Sequence, residues 1–249
     1  MNILGVDIGG SSIKAAPVDT QTGTFTGQRH SVPTPQPASP LSIASSLTEI
    51  QRHFNWTGWT GCGLPAAVQR GIVRTAANID KSWIDIHAAE FLSQATASSL
   101  TVLNDADAAG LAEMRFGQGV NRTGTVFIVT VGTGLGTALF REGTLVPNTE
   151  LGHLILNNQV AEKYASAAVK TRLELSFRDW APRLDAYLHL LEELFWPDLF
   201  IIGGGICQEF GLITPFLTID TETRPALMGN DAGIIGAALG AESAQVAAQ

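Results

Sequence analysis

Apolar and polar positions come in short alternating blocks, and the blocks predict brief strands and helices in turn. Ile3, Leu4 and Val6 form an apolar run that ends in Asp7. After the polar tip Gly9-Gly10-Ser11-Ser12, apolar positions resume at Ile13, Ala15, Ala16 and Val18. This pattern predicts strand, tight turn, strand. A polar turn over 20–26 leads into strand-like sequence up to Val32. Pro33, Pro35, Pro37 and Pro40 then make an extended surface connection rather than a helix. A helix is expected over 43–54, capped by Ser42, with Ile43, Leu47, Ile50 and Phe54 on one face. Residues 61–68 read as a strand entering a loop, 71–73 as a short extended return, 78–83 as loop and 87–97 as helix. The apolar stretch 100–103 reads as a strand ending at Asn104-Asp105, before an Ala-rich helix over 106–116 that Gly117 can end.

The pattern then restarts. A β-branched strand over 125–131 meets Gly132-Thr133-Gly134-Leu135-Gly136, a second strand follows over 137–140, and Glu142-Gly143 turns the chain into 144–146. Strand, Gly-rich tip, strand thus occurs in both halves, which reads as duplication of one phosphate-gripping unit; two independent Gly-rich hairpins are the other reading. Glu150-Leu151-Gly152-His153 falls in a loop. Helices are expected over 161–175 and 179–195, the latter with a core stripe of Leu184, Tyr187, Leu188, Leu191 and Leu194. Pro197-Asp198 breaks it, a strand over 199–202 runs into Gly203-Gly204-Gly205, and a helix is expected over 232–244. Alternating strands and helices with a hairpin opening each half predict an α/β chain of two lobes. The expected division is 1–107 and 108–249, with the terminal helix packing back on the first lobe.

Composition narrows the class. The 249 residues are 45% hydrophobic and 15% charged, enough to bury a sizeable core. A net charge of −8 argues against a general nucleic-acid or membrane-surface binder. Cys62 and Cys207, far apart, form no zinc-like cluster and suit a reducing, cytoplasmic setting. Residues 2–6 are too short and lack the basic flank of a signal peptide, and no apolar run reaches the roughly 18 residues of a membrane span.

Three Gly-rich turns follow apolar strands, at 9–12, 132–134 and 203–205, and together they suggest bound phosphates and a nucleotide-like group. None has P-loop or dinucleotide-fold spacing. At the first tip, Gly9 and Gly10 let backbone N–H groups approach an anion, Ser11 and Ser12 add hydroxyls, Lys14 adds a charge, and Asp7 can hold a cation through water. A hairpin whose turn is merely Gly-rich competes with that reading. Asp105 can accept a hydroxyl proton while Asn104 orients the alcohol, or either can simply cap the helix; Asp107 reads as first-turn charge. Glu150 and His153 can bond sugar hydroxyls or lie solvated in their loop. Glu162 opens a helix, where the dipole favours it, and Asn78 suits a turn. No hydrolase or zinc motif is present.

Five motifs, Asp7-Ile-Gly-Gly-Ser-Ser-Ile-Lys14, Asn104-Asp-Ala-Asp-Ala-Ala-Gly-Leu-Ala-Glu113, Gly132-Thr-Gly-Leu-Gly136, Glu150-Leu-Gly-His153 and Gly203-Gly-Gly-Ile206, resemble the ROK family of sugar kinases. Residues 145–154, 161–166, 197–205 and 230–239, and the Thr34-Pro segment, are similar to its polyphosphate glucokinase branch. The resemblance implies the actin-like (sugar kinase/Hsp70 ATPase, ribonuclease H-like) two-lobed fold. It implies phosphoryl transfer to the 6-hydroxyl of glucose from inorganic polyphosphate, with ATP a further donor, Mg²⁺ as cofactor and a homodimer. Asp105 becomes the general base, with Asn78, Asn104, Asp105, Glu150, His153 and Glu162 on the sugar. Gly9, Gly10, Ser11, Ser12 and Lys14 hold donor phosphates, with Gly132, Thr133 and Gly134 covering them. Gly204 and Gly205 lie near a nucleoside, and Asp7 positions Mg²⁺ through water.

The chain departs from the family pattern in three places. The zinc-binding cysteines that many ROK proteins carry between the positions of His153 and Glu162 are missing here, as in the polyphosphate branch. The usual Gly-x-Pro-Gly becomes Gly63-Leu-Pro-Ala66. Cys207, Gln208 and Glu209 stand where the branch carries lysines, which leaves Lys14, Lys81, Lys163 and Lys170 as the only lysines for a long polyanion. An ATP-dependent ROK hexose kinase and a non-catalytic sugar-binding module are the alternatives. The helix-turn-helix that precedes the kinase-like part of ROK repressors has no counterpart before the first strand, and Asp105 is retained.

Overall fold

The structure is a computed structural model and describes residues 1–247. The chain forms two compact units, 1–112 with the chain from Asp231 on, and Glu113–Asn230. The division thus falls a few residues later than the expected 107/108.

The first unit opens with β1 (Asn2–Ile8) and β2 (Ser12–Asp19), paired antiparallel so that Asp7 faces Lys14 across the hairpin. The edge pieces β3 (Thr24–Phe25) and β4 (His30–Pro33) both pair with β2. Helix α1 (Pro40–His53) starts one turn earlier than expected. Ser39, not Ser42, is its cap, because Pro40 suits the first helical position and Ser39 Oγ accepts from the Ser42 N–H at 3.3 Å. β5 (Thr60–Leu64) lies parallel to β1. The two-residue strands β6 (Val68–Gln69) and β7 (Ile72–Val73) make a small separate ladder. The expected loop 78–83 contains a 3₁₀ turn at Lys81–Trp83, which Trp83 anchors by burying its ring and donating to the Ala38 carbonyl at 2.9 Å. α2 (Ala88–Thr96), β8 (Leu100–Asn104) and α3 (Asp105–Phe116) follow. The sheet order is β3-β2-β1-β5-β8.

The second unit repeats the opening. β9 (Thr125–Val131), β10 (Leu135–Arg141) and β11 (Thr144–Val146) form a meander, and β12 (Ile155–Leu156) and β13 (Gln159–Val160) a small hairpin. The single helix expected over 161–175 is two, α4 (Glu162–Ala165) and α5 (Ala167–Arg172). Ser166, with ψ 158°, breaks it. Tertiary bonds explain the break: the buried Ser166 carbonyl accepts from the Trp180 indole at 3.1 Å, and the Ala168 N–H reaches the Gly132 carbonyl at 3.1 Å. α6 (Phe177–Phe195) is capped by Ser176 and buries Leu184, Tyr187, Leu188 and Leu191, while Leu194 is exposed rather than part of the core. β14 (Leu199–Gly203) lies parallel to β9, α7 (Phe210–Ile213) is a single turn, and β15 (Thr223–Pro225) closes the sheet.

α8 (Ala232–Ala247) returns to the first unit. It is apolar on nearly every side, as a helix must be to lie buried. Its backbone comes so close to the sheet that a Cβ on Gly5 would overlap the Ile234 carbonyl, and one on Gly61 the Ala237 carbonyl. On the helix itself, a Cβ on Gly236 would strike the Ala108 carbonyl of α3. Since the obstructing atoms are backbone, Gly61→Ala is expected to cost about 3 kcal/mol, the upper end for overpacking. Gly10→Ala, which meets open space, is expected to leave stability nearly unchanged. Denaturant unfolding of the two variants checks this contrast.

Candidate active site

In the first unit the site is built on the β1–β2 tip. The Gly9 N–H donates to the Ser12 carbonyl at 3.0 Å, closing the turn. Gly10 and Ser11 are exposed, and the space a Cβ on Gly10 would take is open. Register places Lys14 opposite Asp7, and its ammonium lies 3.8 Å from the Asp7 carboxylate. Gly233, in the first turn of α8, lets the helix reach that carboxylate: a Cβ there would stand 2.9 Å from Asp7 Cγ. Burial raises the Asp7 carboxyl above the ordinary carboxylate range, against the pull of Lys14. A carboxylate so placed gains from a nearby cation. One carboxylate cannot make an all-protein cage, and among the described residues no group of three or more His, Cys, Asp or Glu side chains could hold a metal. That donor set fits a hydrated Mg²⁺ that takes its other oxygens from water and substrate phosphate.

At the β8–α3 junction the structure separates two roles that the sequence leaves open. Asn104 Oδ1 accepts from the Asp107 N–H at 3.0 Å, so Asn104 caps α3, and its Nδ2 donates to the Ala66 carbonyl at 3.2 Å. Asp105 stands at the first helical position, half-buried, with Oδ1 accepting from the Ala106 N–H at 2.8 Å. Ala66, at the altered end of the Gly-Leu-Pro-Ala stretch, therefore supports Asn104 through its carbonyl. Asn78 is exposed in the loop before the Lys81–Trp83 turn and is not drawn into this group.

In the second unit, Glu150, His153 and Glu162 are brought together. Glu150 precedes a 3₁₀ turn, Leu151–His153, that ends in His153, whose Nδ1 lies 4.0 Å from Glu150 Oε2. Glu162 lies against the β9–β10 tip: a Cβ on Gly134 would be 2.6 Å from its Oε2, while Lys163 is 3.2 Å from Oε1. Burial raises the Glu150 carboxyl, His153 opposes the rise and Glu162 adds to it. Sequence reasoning missed what holds this loop. Thr137 of β10 donates to the Thr149 carbonyl, Thr149 Oγ1 donates back to the Thr137 carbonyl at 3.1 Å, and Gly152 allows close contact with the Leu135 carbonyl. The only signal was a pair of threonines twelve residues apart.

The second tip matches the first in form. The Gly132 N–H donates to the Gly134 carbonyl at 3.1 Å, Thr133 is exposed, and a Cβ on Gly132 would meet open space. Gly204 has φ +78°, and a Cβ there would lie 2.5 Å from the Val131 carbonyl, so the third Gly-rich turn is seated against the base of the second tip. Gly205 beside it borders open space. Cys207, half-buried, has its thiol raised by burial and by Glu113. Among the described residues no helix is long and apolar enough to cross a membrane.

The chain is similar to known proteins along nearly its whole length. The model of the ROK family matches residues 3–164. The polyphosphate glucokinase of Mycobacterium tuberculosis (strain CDC 1551 / Oshkosh) is 45% identical over 236 residues, covering 94% of this chain and 89% of that protein. The crystal structure of the inorganic polyphosphate/ATP-glucomannokinase from Arthrobacter sp. strain KM superposes with a TM-score of 0.94 at 40% identity, covering 98% of this chain and 99% of that one. A ROK family glucokinase from Streptomyces griseus, in complex with glucose and AMPPNP, gives 0.84 at 25% identity over 98% of this chain and 100% of its own.

The Glu150 environment carries a pH signature. Its folded carboxyl titrates above the unfolded one, so the folded state binds more protons between the two values and ionisation there costs stability. Glu150→Gln is expected to raise Tm at pH 7. The gain should vanish below the ordinary value of 4.5, where the carboxyl is protonated in both states. Thermal melts across pH check this, and a Tm lowered at pH 7 would count against it.

Proposed function

The chain belongs to the ROK family, with its actin-like two-lobed α/β fold, and from that premise we propose that it is a glucokinase moving the terminal phosphoryl group of inorganic polyphosphate, or of ATP, to the 6-hydroxyl of glucose. The observation that carries this reading is the likeness, along nearly the whole chain, to the mycobacterial polyphosphate glucokinase. The same reading makes it a cytoplasmic homodimer that uses Mg²⁺.

The roles follow from each residue's setting. Asp105, next to the Asn104 cap, takes the proton of the 6-hydroxyl as that oxygen attacks the terminal phosphorus and the bridging P–O bond breaks. Asn104 keeps the start of α3 rigid, so the carboxylate does not wander from its acceptor. Glu150, His153 and Glu162 hold the sugar hydroxyls, with Asn78 a weaker contact. Gly9, Gly10, Ser11, Ser12 and Lys14 receive donor phosphates, as do Gly132, Thr133 and Gly134. Gly204 and Gly205 border the nucleoside when ATP is the donor. Asp7 would hold a hydrated Mg²⁺, which would supply neutralisation of charge on the donor phosphates. Positioning and charge neutralisation are most of what phosphoryl transfer needs.

Purified protein with Mg²⁺ and glucose is expected to form glucose 6-phosphate. A side-by-side assay of ATP and polyphosphates of several lengths ranks the donors, mannose tests the breadth of the sugar site, and no product with any donor would overturn the reading. Asp105→Asn keeps the shape and removes the base. It is expected to lower kcat by about 100-fold or more with both KM values near wild type, and an unchanged kcat would remove Asp105 from the chemistry.

A further inference from the structure

The Thr34-Pro segment has no place in the roles above, yet it touches the first phosphate tip. β4 runs beside β2 with Pro33 opposite Ser12, so the next residue arrives level with the turn. There the Thr34 N–H donates to the Ser11 carbonyl at 3.1 Å, and Thr34 Oγ1 donates to the Gly9 carbonyl at 2.5 Å. Thr34 is only 7% exposed. With the Gly9 N–H on the Ser12 carbonyl, the carbonyls of Gly9, Ser11 and Ser12 are all tied back into the protein. Among the described residues, the N–H groups of Gly10 and Ser11 enter no backbone hydrogen bond, and both residues are exposed. Three carbonyls of the tip are therefore held by the protein, while the N–H groups of Gly10 and Ser11 are left to the exposed side of the turn.

We propose that Thr34 is a positioning residue for the phosphoryl donor: by holding the Gly9 and Ser11 carbonyls it keeps them turned away from an anion and keeps the β1–β2 tip in the arrangement that presents the Gly10 and Ser11 N–H groups to it. An N–H-lined concavity attracts phosphate, and one carbonyl swung outward repels it. The second tip has an equivalent brace, the Ala168 N–H on the Gly132 carbonyl, but that donor is backbone and no side-chain change removes it. At the first tip half of the brace is a single hydroxyl.

This inference rests on the reading that the first tip binds donor phosphates, and the experiment separates the two. Thr34→Val keeps the shape and removes the hydroxyl; Thr34→Ser restores it. Steady-state kinetics with glucose, Mg²⁺ and either polyphosphate or ATP is expected to show the donor KM of Thr34→Val raised about five- to tenfold, the scale of one lost hydrogen bond. The glucose KM should stay within twofold, and Thr34→Ser should return the donor KM towards wild type. Thermal melts run alongside; if Thr34→Val does not fold, Thr34→Ala is judged by the same split. A folded variant with unchanged donor KM, or with both KM values raised alike, overturns the proposal. Lys14→Ala and Ser11→Ala are the controls. If they raise the donor KM while Thr34→Val does not, Thr34 alone is misassigned; if neither does, the phosphate role of the tip itself is wrong.

Discussion

The backbone-to-backbone seating of α8 on β1 and β5 is the contact on which the first unit depends. Gly5 and Gly61 leave out the two side chains that would hold helix and sheet apart, and Gly236 does the same towards α3. Close-packed interiors reward such approach through many small dispersion contacts. The site inherits its geometry from this seating. β1 delivers Asp7 to the first turn of α8 at Gly233, β5 leads to the loop whose Ala66 carbonyl holds Asn104, and α3 carries Asp105 on the helix that α8 packs against.

The two Gly-rich hairpins solve one problem by the same local means. In each, an N–H at the first glycine closes the turn onto a carbonyl further along, and a neighbouring segment takes up another carbonyl. On the proposed reading, a donor phosphate then meets N–H groups without the loop having to rearrange first. Such preorganisation matters for polyphosphates, whose charge must be balanced at the moment of transfer. In the second unit, the cost of burying Glu150 is visible in its raised carboxyl, with Glu162 adding to the rise.

Much of this was legible in the sequence, for physical reasons. The hairpins at 2–19 and 125–141 announce themselves because two-residue alternation and a glycine tip leave little other choice. Asn104-Asp105 stood out at the end of a strand, whereas Glu150, His153 and Glu162 were ambiguous by themselves and drew notice through the resemblance to the ROK family. The failures share one cause, that long-range partners overrule local preference. Ser166 sits in a good helical stretch, yet Trp180 and Gly132 demand a break there. Asp105 and Asn104 are equally good caps on paper, and the hydrogen bond to Asp107 decides between them. Leu194 keeps the helical period of its stripe but ends up exposed. Thr34 and the Thr137–Thr149 pair look like ordinary loop and strand threonines until their distant acceptors are known. Glycine on its own weakens a strand, while Gly5 and Gly61 are points of closest approach to α8.

The placement of α8 also sets a timetable for synthesis. The second unit is continuous in sequence and can fold as soon as it has left the ribosome. The first cannot, because the sheet face at Gly5 and Gly61 awaits a helix made more than 200 residues after β1. During that interval the nascent sheet presents bare, glycine-notched apolar surface, the kind that chaperones hold and that aggregation exploits. The molecule's earliest strand is thus among the last parts to become stable.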